Sequence, residues 1–328
     1  MHDDLITTVR DVEIDLTHGT QYDRLVHEEI DHYSTINVTH DLLEGGVFTH
    51  ACWNFYFQYL AKTLFHTWFD HEVAVHANRI DRPRLLSLGC GYGGHELSIA
   101  AKLRKPFELI AVDLNPKLFP EAERRARNAG LDIKFIATDL NFISLVPASF
   151  DIVYAHASLH HVLNLEHLFA QLQQALKDHG RLIVLDIIGK TQVLFWKENV
   201  EFAADVIRRM PLRYRPPGKR LSRYFRFDPY SIIPGYVEPA VQVGMEGIRQ
   251  EEIEALILQR FTPVKVFKYN AFMRLICTNA YFGSRLDPDR RKDRKYLEKL
   301  IRLDNRQIAS GKLRPTEMFG VFEKRSEA

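Results

Sequence analysis

The chain has 328 residues, 46% of them hydrophobic and 26% charged, with a formal net charge of +2. That is ample apolar material for a large core, it excludes a disordered or fibrous chain, and the near-neutral balance singles out no partner class. The polar, acidic start Met1-His2-Asp3-Asp4 does not read as a secretory signal, no apolar run predicts a membrane span, and Cys52, Cys90 and Cys277 are too few and too scattered for a disulfide framework or a metal knuckle. A cytoplasmic, reducing setting is the expectation, with no membrane partner.

Residues 1–50 are mixed and carry no assignment. His50 to Asn78 reads as one helix, with Trp53, Phe57, Leu60, Leu64 and Trp68 recurring every three or four positions. Its other aromatics, among them Phe55, Tyr56, Tyr59, Phe65 and Phe69, make it apolar all round, so core or homodimer packing is expected, with a wall of an acceptor pocket as the sharper alternative. After Arg82-Pro83 the rhythm changes. Strands are predicted at 85–88, 108–112, 133–137, 150–155 and 181–187, with helices between them at 96–103, 116–128 and 165–176. Strands alternating with helices of this length mean βαβ units and a parallel sheet. The alternation lapses after Gly189 and resumes with a helix near 250–260 and strands near 264–268 and 318–323. The expected organisation is a mainly helical extension over 1–80, a doubly wound core over 81–190, a lid insertion over 191–246, and completion of the sheet with a helical insertion over 247–328.

Gly89-Cys90-Gly91-Tyr92-Gly93-Gly94 follows the first core strand and opens a helix. Glycines there let the backbone turn sharply and approach a ligand, and the helix start adds free N–H donors. The hexad satisfies both the dinucleotide pattern GxGxxG and the GxGxG of methyltransferases. Asp113, closing the second strand, stands where a carboxylate takes both ribose hydroxyls, the alternative being a solvated acid at a strand end. Asp139-Leu140 closes the third strand, placed for an adenine amino group and an apolar contact with its ring.

Five stretches in this order, LLSLGCGYGG, AVDLNP, ATDL, FDIVYAHASLHHV and LKDHGRLIVLD, make residues 84–190 resemble the class I S-adenosylmethionine (SAM)-dependent methyltransferases, in particular the methyltransferase-domain group acting mainly on small molecules. The resemblance implies an α/β, Rossmann-like, seven-stranded sheet with an antiparallel last strand. It implies SAM as cofactor, held by Gly89, Cys90, Gly91, Gly93, Asp113, Leu114, Asp139, Leu140 and His156. One position departs from the family pattern: Ser87 stands where many members carry an acid that steadies the loop and the methionine ammonium. Residues 195–324 are similar to a subgroup found in bacterial polysaccharide and natural-product gene clusters, on Met210-Pro211-Leu212-Arg213-Tyr214-Arg215, Phe227-Asp228-Pro229 and the run from Glu246 to Ile253.

An oxygen nucleophile needs a base, and His160 and His161, beyond the fourth core strand, are the catalytic candidates; capping or packing of the loop is the alternative. Adjacent histidines without a third spaced ligand predict no metal. Asp186 ends the fifth core strand and is expected either to touch substrate or to accept backbone N–H bonds from Ile188 or Gly189. Residues 208–226 hold eight Arg or Lys and no acid; Arg213, Arg215, Lys219 and Arg220 are expected to meet an anionic or sugar-like acceptor from a mobile lid, or else to form a solvated basic loop. The functional expectation is SAM-dependent O- or N-methylation of a small molecule in biosynthesis. The other readings are an RNA methyltransferase, disfavoured because no RNA-binding module accompanies the basic insertion, and an NAD-dependent oxidoreductase, which leaves Asp139 and the LHH stretch without a task.

Overall fold

A computed structural model of the chain describes residues 6–8, 20–35, 50–214 and 244–325. Its centre is a seven-stranded sheet. We number the strands β1 (Ile6–Thr8), β2 (Arg84–Leu88), β3 (Glu108–Asp113), β4 (Lys134–Ala137), β5 (Ile143–Leu145), β6 (Phe150–His156), β7 (Leu176–Ile187), β8 (Phe261–Tyr269) and β9 (Glu317–Lys324). The sheet order is β4-β3-β2-β6-β7-β9-β8, while β1 and β5 form a separate antiparallel pair. Strands β4, β3, β2, β6 and β7 run parallel; β9 is antiparallel to both its neighbours, β7 and β8. The fold class is therefore the α/β, doubly wound, seven-stranded one expected, with its late strands rejoining the sheet.

Successive residues of a strand face opposite sides, and the two sides carry two cores. Leu86, Leu88, Ile110, Val112, Val153 and Val184 pack under the helices Leu165–Ala175 and Ile253–Arg260. Leu85, Leu109, Ala111, Ile152, Tyr154 and Ile183 face the other layer, which includes the helices Gly94–Ala100, Lys197–Arg208 and Arg291–Ala309. The near-continuous apolar strands of the sequence are what a sheet covered on both faces requires.

Three expectations about elements are corrected. The single helix over 50–78 is two, Ala51–Leu60 and Phe69–Ala77, separated by a π-helical turn at Ala61–Phe65 and a left-handed His66 (φ 57°). Four of the aromatics, Trp53, Tyr56, Phe65 and Phe69, are buried in the intramolecular core, while Trp68 is exposed. Strand β7 begins at Leu176, directly after its helix, because Leu176 pairs with Phe150 across a register shift rather than continuing the helix. The 191–246 stretch, expected to be irregular, contains the helix Lys197–Arg208, whose Val200, Ala203, Ala204 and Ile207 are buried in the core. The centre of the expected lid and the Phe227-Asp228-Pro229 motif lie outside the described residues. Among the described residues no helix is long and apolar enough to cross a membrane.

Candidate functional site

The glycine loop leaves the carboxyl end of β2 under tight constraint. Gly89 has φ +66°, and a Cβ there would stand 2.4 Å from Ser158 Cβ, so only glycine fits. Gly91 N–H donates to Asp113 Oδ2 at 2.8 Å, and Asn115 N–H donates to Asp113 Oδ1 at 2.9 Å. One carboxylate thus fastens the loop to the end of β3. Burial raises its pKa, against the pull of the two N–H donors. Beneath the loop, Ser87 Oγ donates to Glu96 Oε1 at 2.5 Å, and Glu96 is buried. The position expected to hold an acid is a serine, and a carboxylate reaches it from the following helix instead. Burial raises the Glu96 pKa.

A cavity of about 200 Å³ opens at this edge of the sheet. Of the residues expected to hold cofactor, Gly89, Gly91, Asp113, Leu114, Asp139 and Leu140 line it. Three are not in the lining. Cys90 is buried, and burial pushes its thiol pKa up. Gly93 precedes the Gly94–Ala100 helix with φ +71° and packs near Phe135. The His156 ring lies against His95 at 3.7 Å and meets the Phe69 edge at 5.1 Å, and burial lowers its pKa to about 3, the mark of a neutral ring.

The opposite wall comes from elsewhere in the chain. The helix Thr20–Thr35 presents Tyr22, Leu25, Val26, Glu29, Ile30 and Tyr33 on its less exposed face. Tyr22 Oη donates to Asp139 Oδ2 at 2.5 Å, and Asn141 Nδ2 donates to Tyr22 Oη at 2.9 Å. Asn115 Nδ2 donates to the Ile30 carbonyl at 3.2 Å. Glu29 Oε2 accepts from Met245 N–H at 2.8 Å. Glu29, Tyr33, His161 and Met245 line the cavity from this side. The cavity is therefore roofed by the N-terminal helix and the 244–246 segment.

At that wall the histidine pair meets carboxylates. His160, buried, places Nδ1 2.5 Å from Asp186 Oδ1 and Nε2 3.5 Å from Glu246 Oε1. His161 places Nδ1 2.7 Å from Glu29 Oε1, without the alignment of a hydrogen bond, and Nε2 3.4 Å from Glu246 Oε2. Tyr33 Oη donates to Glu246 Oε2 at 2.8 Å. Burial opposes charge on His160, but Asp186 and Glu246 outweigh it and hold its pKa well above the usual imidazole range. Glu246 is held well below the carboxylate range by both imidazoles and Tyr33, against its own burial. Among the described residues, one donor atom each from His160, His161 and Glu246 lie within 4.8 Å of one another. Glu246 is the third donor that sequence spacing did not show.

Asp186 does not face the cavity, which corrects its substrate-contact reading. Its carboxylate is buried and accepts from the N–H groups of Ser158 (3.0 Å), Leu159 (2.7 Å) and Ile187 (2.7 Å) besides His160. It fixes the loop that carries the histidines. Arg213 is also displaced from its expected role. Its guanidinium lies 4.4 Å over the Tyr214 ring and 3.4 Å from Asp293, in a separate groove with Arg285 and Arg290. Arg215, Lys219 and Arg220 lie outside the described residues.

Residues missed by sequence reasoning are Glu29, Tyr33, Asn141 and Glu246. The helix carrying the first two had a signal, the spacing of Tyr22, Leu25, Val26, Ile30 and Tyr33; Glu246 had only its place at the head of the 246–253 motif.

Comparison with known proteins bears on the core. Residues 85–180 match the family model described as "Methyltransferase domain". The chain is 28% identical over 192 residues to sterol 4-C-methyltransferase strm-1 of Caenorhabditis elegans, covering 56% of this chain and 55% of that protein. It is 32% identical over 107 residues to 27-O-demethylrifamycin SV methyltransferase of Amycolatopsis mediterranei, covering 32% of this chain and 39% of that protein. The chain thus spans about half or less of the length of these relatives. A solved SAM-dependent methyltransferase from Mesorhizobium loti overlays with a TM-score of 0.43 at 19% identity, covering 77% of this chain and 96% of that one. Residues 85–180 thus carry the match to a methyltransferase domain, and the sheet order around them is the one expected of the class I SAM-dependent methyltransferase fold.

Proposed function

We propose that the protein transfers a methyl group from SAM to an oxygen of a hydroxyl-bearing small molecule held between the glycine loop and the N-terminal helix. The observation that carries the reading is the two-sided lining of one cavity: loop backbone, Asp113 and Asp139 on one wall, and His161, Tyr33 and Glu29 on the other. The cofactor side fits SAM. Gly89 and Gly91 expose loop backbone, Asp113 offers free lone pairs to a ribose, and Leu114, Leu118 and Leu140 supply apolar surface for a flat ring. SAM, when bound, supplies a sulfonium methyl for direct displacement by a nucleophile. The chain contributes alignment, exclusion of water and a place for the nucleophile's proton.

That proton's destination is the His161–Glu29 pair, since His160 is buried behind it and already shares its Nδ1 with Asp186. The charge of this wall disfavours an anionic acceptor: Glu29 and Glu246 stand there, and Arg213 lies in another groove. A hydroxyl or enol fits it better than a phosphate or carboxylate.

Calorimetric titration with S-adenosylhomocysteine, followed by mass-spectrometric screening of hydroxylated compounds with SAM, tests the reading. The expected result is micromolar product binding and a gain of one methyl mass on an oxygen acceptor. Tight NAD binding with no response to S-adenosylhomocysteine would falsify it.

A further inference from the structure

We propose that His160, His161 and Glu246 form a divalent transition-metal site at the acceptor wall. Both Nε2 atoms converge on the two oxygens of one carboxylate, at 3.5 and 3.4 Å. These separations exceed the 2.7–2.9 Å of a charge-assisted hydrogen bond. Each is close to the roughly 3.4 Å donor–donor separation that metal–ligand bonds of about 2.1 Å give at tetrahedral angles, with the two imidazoles meeting different oxygens of the one carboxylate. One donor atom from each of the three residues lies within 4.8 Å of the others, so side-chain rotations close the site.

The surroundings are those a metal site needs. A ligating histidine is oriented by an acceptor on its other ring nitrogen. Asp186 Oδ1 does this for His160 at 2.5 Å, and Glu29 Oε1 stands 2.7 Å from Nδ1 of His161. The ligand carboxylate is itself fixed, because Tyr33 Oη donates to Glu246 at 2.8 Å. The chain ties the third donor to the other two: Ile248 N–H donates to the His160 carbonyl at 3.1 Å. Three carboxylates, Asp186, Glu29 and Glu246, surround two imidazoles here, and a bound cation offsets that excess of negative charge.

Two imidazoles and one carboxylate select zinc, iron, cobalt or nickel over magnesium or calcium, which prefer oxygen sets. Three protein ligands leave coordination positions open, and since His161 lines the cavity, the open positions face it. Resting on the proposed function, the metal then anchors an acceptor through a hydroxyl paired with a second oxygen and favours the hydroxyl's deprotonated form; with His161 Nε2 engaged as a ligand, Glu29 of the His161–Glu29 pair takes the proton.

The full chain, stripped with chelator, is titrated with Co²⁺ and with Zn²⁺ by calorimetry and visible absorption. One equivalent binds, and Glu246→Ala and His161→Ala each weaken binding by about a hundredfold or more, with their folding checked by thermal melting. His160 is left in place because its removal orphans the buried Asp186 carboxylate. No saturable binding, or unchanged affinity in both variants, overturns the site. Acetohydroxamate, a bidentate oxygen probe, shifts the cobalt spectrum of the loaded protein; an unshifted spectrum means a closed site and overturns acceptor anchoring. S-adenosylhomocysteine is titrated in parallel. Cofactor binding without metal binding ends this inference alone, and metal binding without cofactor binding ends the methyltransferase reading alone.

Discussion

The two walls of the cavity are built by different means. The wall proposed for the cofactor is made of the ends of adjacent strands: the loop after β2, Asp113 at the end of β3, and Asp139 just beyond β4, each carried by a strand hydrogen-bonded to the next. The wall proposed for the acceptor joins residues from the N-terminal helix, the histidine turn after β6 and the 244–246 segment, through contacts such as Glu29 to Met245 and Tyr33 to Glu246. Positions on the first wall follow from sheet register. Positions on the second depend on a few polar contacts that bridge long stretches of chain. The first wall should therefore fail when the loop backbone is strained or its Asp113 anchor is lost, and the second should come apart by itself.

The largest effect is expected from Gly89→Ala. Its φ of +66° and the 2.4 Å approach to Ser158 Cβ force the loop to move. A left-handed alanine costs about 1–2 kcal/mol before the overlap is counted. Calorimetry should show no measurable S-adenosylhomocysteine binding, with a lowered melting temperature; normal binding would mean that the loop does not form the cofactor wall.

Asp113→Ala comes next. It orphans the Gly91 and Asn115 N–H groups and removes the proposed ribose contact. Hydrogen bonds to a charged group contribute about 1.5–3 kcal/mol each, so cofactor affinity should fall by about tenfold to several hundredfold. An unchanged dissociation constant in a folded variant removes Asp113 from the site.

Gly244→Ala strikes the other wall. Gly244 has φ +55°, and a Cβ there would stand 2.3 Å from Glu29 Oε2. The substitution should push the 244–246 segment off the helix and weaken Co²⁺ binding by about tenfold or more, as loss of a supporting contact does. Cofactor affinity should change by less than about threefold. Equal losses at both sites would show that the two walls are one cooperative unit.

The smallest effect is expected from Tyr22→Phe, which deletes the hydroxyl between Asp139 and Asn141. About 1 kcal/mol of docking energy corresponds to roughly fivefold more frequent opening of the Thr20–Thr35 helix. Hydrogen exchange of those amides reads it directly; unchanged protection means the contact does not hold the roof.

Legibility followed the same division. The glycine loop, Asp113 and Asp139 could be read because each lies at the end of an apolar run whose periodicity marks a strand. The surroundings of His156 and His161 could not be told apart because the turn after β6 sends its residues in different directions: His156 against His95, His161 into the cavity. Asp186 was correctly put at a strand end, but four donors converge on it, and only the folded loop shows that its acceptor capacity is used internally. Glu96 was invisible as the partner of Ser87 because a helix face, not a strand end, supplies it.

Local hydrophobic periodicity and the glycine hexad by themselves determined the α/β core, its strand succession and the cofactor edge, because those features are set by contacts within a few residues or between adjacent strands. The tertiary structure alone decided the roof and the histidine–carboxylate cluster. Tyr33 and Glu246 meet across a separation of 213 residues, and no spacing rule reaches that far: the pairing exists only because two segments without regular alternation fold over the same end of the sheet.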